Sequence, residues 1–158
     1  MPVAIITGGA AGIGRHLCAG FAREGYVVAA LDIQPMSSPH PDIHCFPCDL
    51  RDEAAITSVF HAIAQTLGTP RVLINNGAVS PGWIQVDDYD SLSPCDHSQH
   101  PSGRVGKPED VCNACLFLAG EENGFVNGVN LPVDGGILWC CTELNTKADM
   151  DQLIAVIG

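Results

Sequence analysis

The residues best placed to do chemistry stand in the first third of the chain. A short apolar run, Pro2 to Ile6, stops at Thr7-Gly8, and glycines recur at Gly12 and Gly14 before an amphipathic stretch begins. A strand that turns sharply into a helix through glycines is built to bring backbone N–H groups against an anion. Gly8 takes the dihedrals of the turn, Gly12 lets the backbone approach a diphosphate, and Gly14 lets the helix lie close to the strand. Asp32, 18 residues beyond Gly14, closes the second apolar run. A carboxylate there accepts hydrogen bonds from both hydroxyls of an adenosine ribose and repels a 2′-phosphate, which selects NAD over NADP. The bland alternative is a glycine turn in a nucleotide-free domain, with Asp32 as a surface acid.

These groups need a scaffold, and the pattern supplies one. Apolar runs at 2–6, 26–31, 43–46 and 72–74 read as strands. Helical periods follow the first at Ile13, Leu17, Phe21 and Ala22, and the third at Ile56, Val59, Phe60, Ile63 and Leu67, where Asp49 or Asp52 can cap. Strands alternating with amphipathic helices imply parallel βαβ units. Residues 79–107 hold no sustained period, an irregular stretch of about 30 residues that is unusual in a compact domain. A helix opens again at Pro108-Glu109-Asp110, Val126 to Val133 reads as a strand, and residues 146–157 form an amphipathic helix in the tail.

Composition narrows the classes. The chain has 158 residues, 46% hydrophobic, with 7 Lys+Arg against 18 Asp+Glu and a formal charge of −11. There is enough apolar material for one core, and a mainly disordered chain is excluded. The acidic balance excludes a nucleic-acid partner, and no run of about 18 apolar residues offers a membrane span. Eight cysteines in a chain able to build its own core read as reduced thiols, and the expected location is cytoplasmic.

The ordered motifs resemble the short-chain dehydrogenase/reductase family. Thr7 to Gly14 matches its TGxxxGxG, and Asp32 its acidic residue for NAD. Asp49, followed by Leu50, matches the Asp that contacts adenine. Asn75-Asn76-Gly77-Ala78 is similar to its NNAG with the last two residues exchanged, and residues 100–110 and 128–136 are similar to its closing segments. The resemblance covers residues 1 to about 83 and about 97 to 137. It implies an α/β, Rossmann-type parallel sheet with helices on both faces and a cofactor site at Gly8, Gly12, Ile13, Gly14, Asp32, Asp49 and Asn76. Residues 1–137 then form a single shortened domain, and 138–158 a tail.

The same resemblance exposes a gap between the fourth strand and the helix at 108. The family places its catalytic Ser and its Tyr-x-x-x-Lys there. Only Tyr26 and Tyr89 exist, with Ala30 and Ser93 four residues on, and the lysines are Lys107 and Lys147. No pair makes the motif. With the intervening strands gone, the last strand is expected beside the fourth, giving five strands in the order 3-2-1-4-7. An exposed apolar face is expected too, covered by a homo-oligomeric partner or by the tail.

Three rival sites use other residues. Cys45/Cys48 and Cys112/Cys115 have zinc-like spacing, but placement on opposite edges of the sheet separates them by about 19 Å. Cys95-Asp96-His97-x-x-His100 has metal-binding residue types. Tyr89, Ser91, Ser93, His97 and Lys107 could rebuild an acid/base site within the irregular loop.

Overall fold

The computed structural model describes residues 1–38, 40–76, 82–124, 126 and 131–135. Four parallel strands, β1 (Val3–Thr7), β2 (Val27–Asp32), β3 (Ile43–Pro47) and β4 (Pro70–Ile74), stand in the order β3-β2-β1-β4. β1 pairs with β2 from Val3↔Val27 to Thr7↔Leu31, and β2 with β3 from Val28↔Ile43 to Asp32↔Pro47. The register therefore brings Thr7, Asp32 and Pro47 to one edge of the sheet.

The two central strands are apolar at nearly every position because both faces are covered. On one face Ala4, Ile6, Val28, Ala30 and Ile74 meet α1 (Gly12–Arg23) and α4 (Pro108–Ala119). On the other, Val3, Ile5, Ala29 and Leu31 meet Ile63 of α2 (Glu53–Thr66). Alternate residues of one strand thus feed two separate cores, as the two-residue period of a strand requires.

Helices α1 and α4 lie against each other through a small-residue contact. A Cβ built on Gly20 would overlap the Cys112 sulfur, itself buried. Burial pushes the thiols of Cys112 and Cys115 up, the latter to about 11. Both act here as small hydrophobes.

The irregular stretch holds more structure than periodicity reveals. Ser93 and Asp96 form a reciprocal capping box that starts a short helix, α3 (Pro94–Ser98). A parallel bridge joins Ile84 to Gly106, and a 3-10 turn spans Tyr89–Ser91. Asp52, not Asp49, caps α2, accepting from the N–H groups of Ala54 and Ala55.

Among the described residues the sheet has four strands. Half of the expected fifth strand, residues 127–130 of 126–133, and the tail helix at 146–157 lie outside the described residues. The exposed apolar surface is present. Leu73 of β4 is 50% exposed, and Phe117 and Leu118 of α4 are 51% and 42% exposed. A cleft of about 770 Å³ runs between β4 and the end of α4. An Arg71–Glu121 ion pair of 2.7 Å stands at its rim.

Gly20→Ala is expected to lower stability by about 1–3 kcal/mol through overpacking of α1 on α4. Combined with Cys112→Ala it should recover most of that loss. Thermal melts of the two single variants and the double variant measure the coupling.

Candidate functional site

The site begins where β1 ends. The Thr7 hydroxyl donates to the Ile74 carbonyl at 3.3 Å, tying the ends of β1 and β4 together. The chain then turns through Gly8 and enters α1 at Gly12. Both have positive φ, +67° and +54°, where a side chain is strained.

Two kinds of space matter here. A Cβ on Gly12 would meet nothing within 4 Å, so the ground before the helix terminus is open. A Cβ on Gly14 would overlap the Gly8 carbonyl oxygen and come within 2.9 Å of Asn76 Nδ2. Gly14 is thus what lets α1 begin against the turn. Asn76, just beyond β4, fills the notch beside both glycines. Ile13 is half-buried against the core shared by α1 and α4.

Among the described residues, no acceptor is found for the leading N–H groups in the first turn of α1. Its N-cap is Ala11, without a capping side chain, and no acidic residue follows in the first turn. The other helices differ. Asp52 caps α2, Ser93 caps α3, and Glu109 and Asp110 occupy the first turn of α4. Among the described helices, α1 alone combines an uncapped start with a first turn free of acidic residues, so its N–H groups and the positive end of its dipole meet no carboxylate of its own.

Asp32 is held in place by the backbone. Its Oδ2 accepts from Ala10 N–H at 3.0 Å and its Oδ1 from Gln34 N–H at 2.9 Å. Each oxygen keeps a further lone pair, and the residue is partly exposed. The first bond also ties β2 to the glycine turn, reinforced by Gly9 N–H donating to Leu31 O at 3.1 Å.

Asp49 lies beyond β3, joined to this edge by the bond from Cys48 N–H to Asp32 O at 2.9 Å. Arg51 grips its carboxylate, with Nε on Oδ1 at 2.9 Å and Nη2 on Oδ2 at 2.7 Å. The Arg51 side-chain hydrogen bonds hold the Asp49 carboxyl down to about 2, so it is anionic at any physiological pH. The sequence reading missed Arg51. The signal was an Arg two residues after an Asp that opens a turn.

The expected residues thus divide. Gly8, Gly12, Ile13, Gly14, Asp32 and Asn76 gather at the β1–α1 turn, while Asp49 stands further along the same sheet edge. The Gly77-Ala78 exchange lies outside the described residues.

The loop residues considered as a rebuilt acid/base site do converge, but around a different point. Tyr89 OH donates to the Val105 carbonyl at 2.6 Å, and Val105 N–H donates to His97 Nδ1 at 3.2 Å. Lys107 Nζ stands 4.2 Å from the Tyr89 ring centroid, over its face rather than at its hydroxyl. Ser91 donates to Asp88 O, and Ser93 caps α3. These side chains hold the loop around a fully buried Val105.

Arg104 makes two bonds to Asp110, of 2.8 and 2.6 Å, and is a structural ion pair. Those bonds hold the Asp110 carboxyl below the usual carboxylate range. The cysteine pairs are also dispersed. Cys45 lines a cavity beside Cys18 of α1, and Cys48 belongs to the core under α2. Among the described residues no group of three or more His, Cys, Asp or Glu could hold a metal ion.

Two outcomes test this geometry. Gly14→Ala is expected to force α1 away from the β1 turn, lowering Tm and speeding amide exchange from Gly8 to Gly14, as hydrogen exchange would read. Asp110 has a lowered folded pKa, so its stabilisation is present above its unfolded pKa and lost as pH falls through the folded value. Asp110→Asn should therefore lower Tm at pH 7 and flatten its fall below about pH 4.

Residues 2–93 match the family model described as short chain dehydrogenase, and residues 77–138 one described as enoyl-(acyl carrier protein) reductase. An uncharacterized oxidoreductase of Thermotoga maritima is 32% identical over 139 residues, covering 78% of this chain and 52% of that protein. A 3-oxoacyl-[acyl-carrier-protein] reductase of Rickettsia bellii is 33% identical over 92 residues, 54% of this chain and 36% of the relative. The chain spans about half the length, or less, of these curated relatives. Among solved structures, aldohexose dehydrogenase of Thermoplasma acidophilum in ligand-free form superposes with a TM-score of 0.73 at 19% identity, covering 85% of this chain and 93% of that one. A 4-hydroxyisoleucine dehydrogenase complexed with NADH gives 0.71 at 16% identity, covering 86% and 98%. These likenesses carry the fold, and the family-model match over residues 2–93 places the chain in the short-chain dehydrogenase/reductase family of oxidoreductases.

Proposed function

We propose that this chain binds NAD(H), or another nucleotide built on adenosine diphosphate, through the adenosine half of its family's cofactor site. The observation that carries this reading is the bare N-terminus of α1, the one described helix start without a side-chain cap or an acidic first turn. Backbone N–H groups of Gly12, Ile13 and Gly14 would receive the diphosphate over the open ground at Gly12. Asp32, oriented by Ala10 and Gln34, would accept the ribose hydroxyls and disfavour a 2′-phosphate, hence NAD rather than NADP. When bound, the nicotinamide supplies or accepts a hydride.

The chain's own residues do not supply the proton that follows. The Tyr-x-x-x-Lys pair has no counterpart in the sequence, and Tyr89 spends its hydroxyl proton on the Val105 carbonyl. Loss of a positioned general acid costs about 10²–10⁴ in rate. The convergence of Tyr89, His97 and Lys107 favours one second reading, a working oxidoreductase whose acid/base group comes from the loop. Exposed Leu73, Phe117 and Leu118 support self-association of the chain. A cytoplasmic location, with the cysteines as reduced thiols, belongs to the same proposal.

Calorimetry with NADH and with ADP-ribose is the decisive measurement. The expected result is affinity for the two within about threefold, reduced about tenfold or more by Asp32→Ala, which removes hydrogen bonds to a charged acceptor. Binding of neither ligand would leave a structural module without a nucleotide. Turnover of ketones or alcohols with NAD(H), lost in both Asp32→Ala and Tyr89→Phe, would establish the second reading instead.

A further inference from the structure

The spacing of the cysteines along the chain misleads about which thiols are neighbours. Cys45 and Cys48 stand three positions apart on extended backbone, which sends their side chains to opposite faces of the sheet. Cys48 is buried with Ile63 of α2, whereas Cys45 opens onto a cavity on the α1 face. Ala30 of β2 is the register partner of Cys45. Neighbouring strands lie about 4.8 Å apart, so these two side chains leave one face side by side. Over Ala30 stands Cys18 of α1. A Cβ built on Gly9 would lie 3.0 Å from the Ala30 Cβ and 3.2 Å from the Cys18 sulfur, so both press on one spot. Cys18 and Cys45 line a single cavity of about 280 Å³, together with Met36, Ser38 and His40 of the β2–β3 connection.

The two thiols are unequal. Cys18 is 3% exposed, and Cys45 is half-buried. Burial and, after it, the neighbouring Cys45 push the Cys18 thiol up to about 12, so it stays protonated at neutral pH. Cys45 is the thiol that a small reagent meets on entering the cavity. The other described cysteines are turned elsewhere. Cys112 packs on Gly20, Cys115 lines the cleft beside β4, and Cys95 is exposed on α3.

We propose that Cys18 and Cys45 are a peroxide-oxidisable pair that closes to a disulfide between α1 and β3. The Cys45 sulfur attacks one oxygen of hydrogen peroxide and the O–O bond breaks. Cys45 becomes a sulfenic acid, and the other oxygen leaves as water with the thiol proton. The Cys18 sulfur then attacks the Cys45 sulfur. The S–S bond forms, and the hydroxyl departs with the Cys18 proton as a second water. Two thiols are oxidised, and one peroxide is reduced to two waters. The bond clamps α1 onto the sheet across β2 and uses no residue of the nucleotide site.

Peptide mapping of the full chain tests the pair. The folded protein is treated with hydrogen peroxide, its remaining thiols are alkylated, and trypsin is applied without reductant. Cleavage after Arg15, Arg23 and Arg51 puts Cys18 in peptide 16–23 and both Cys45 and Cys48 in peptide 24–51. The expected product is these two peptides joined, separating on reduction. Cys48→Ala should keep the link and Cys45→Ala should lose it, with circular dichroism checking each fold. In Cys18→Ala, Cys45 should persist as a sulfenic acid that dimedone traps, since the resolving thiol is gone. Oxidation in urea should abolish the preference for this pair. A link that survives Cys45→Ala, a Cys45–Cys48 bond within one peptide, or peroxide treatment that leaves both thiols open to alkylation overturns the proposal.

Discussion

The approach of α1 to the end of β1 governs everything else at this edge of the sheet. Without a Cβ, Gly14 sits against the carbonyl of Gly8, and the helix axis is fixed by that contact. From it follow the direction of the free N–H groups, the seat of Ile13 in the core and the notch that Asn76 fills. The same turn delivers Ala10 N–H to Asp32. One steric constraint therefore sets the open ground before α1 and the position of the Asp32 carboxylate together. A shift in either would disturb the other.

Capping chemistry makes that arrangement selective. A helix start is normally satisfied by its own side chains; among the described α-helices, Asp52 and Ser93 cap α2 and α3, and at α4 Asp110 accepts from the N-cap N–H of Lys107. At α1 the sequence offers Ala11, which forgoes the roughly 1 kcal/mol that a polar cap contributes. That cost is consistent with a terminus whose partner is not part of the polypeptide. The loop at 82–107 shows the opposite economy. Its hydroxyls, imidazole and guanidinium are committed to backbone carbonyls, N–H groups and Asp110, so residue types suited to acid/base work serve to fold a segment with little apolar periodicity.

Much of this was legible from residue order, and the reasons are local. Buried parallel strands advertise themselves as unbroken apolar runs, so β1 and β2 followed from the pattern, while the order of the strands was implied by the family resemblance. Gly8, Gly12 and Gly14 were legible because only a turn into a helix explains that spacing. The helix at Pro94–Ser98 escaped because its five residues are too few to show a period, although Ser93 and Asp96 carry a capping-box signature. Arg51 escaped because an exposed arginine is ordinary until its partner is known. The resting role of Tyr89 was hidden for a deeper reason. A hydroxyl's acceptor is set by long-range packing, here with Val105 sixteen residues away.

Electrostatics completes the argument about how such a chain could hold an anion. Its formal charge of −11 sets a repulsive field for any nucleotide, and fields of that kind are screened beyond about 8 Å in physiological salt. Attraction must then be short-ranged. Backbone N–H groups at a helix start meet that requirement, since they act over hydrogen-bond distance and belong to no titratable group. Arg51 and Arg104 add little to a long-range attraction, because each is neutralised by a bonded carboxylate, Asp49 and Asp110. An acidic surface with the bare start of α1 would therefore discriminate by geometry. On the proposed reading, a phosphate would be held only where those donors converge, and the Asp32 carboxylate beside that point would repel a second phosphate on the ribose.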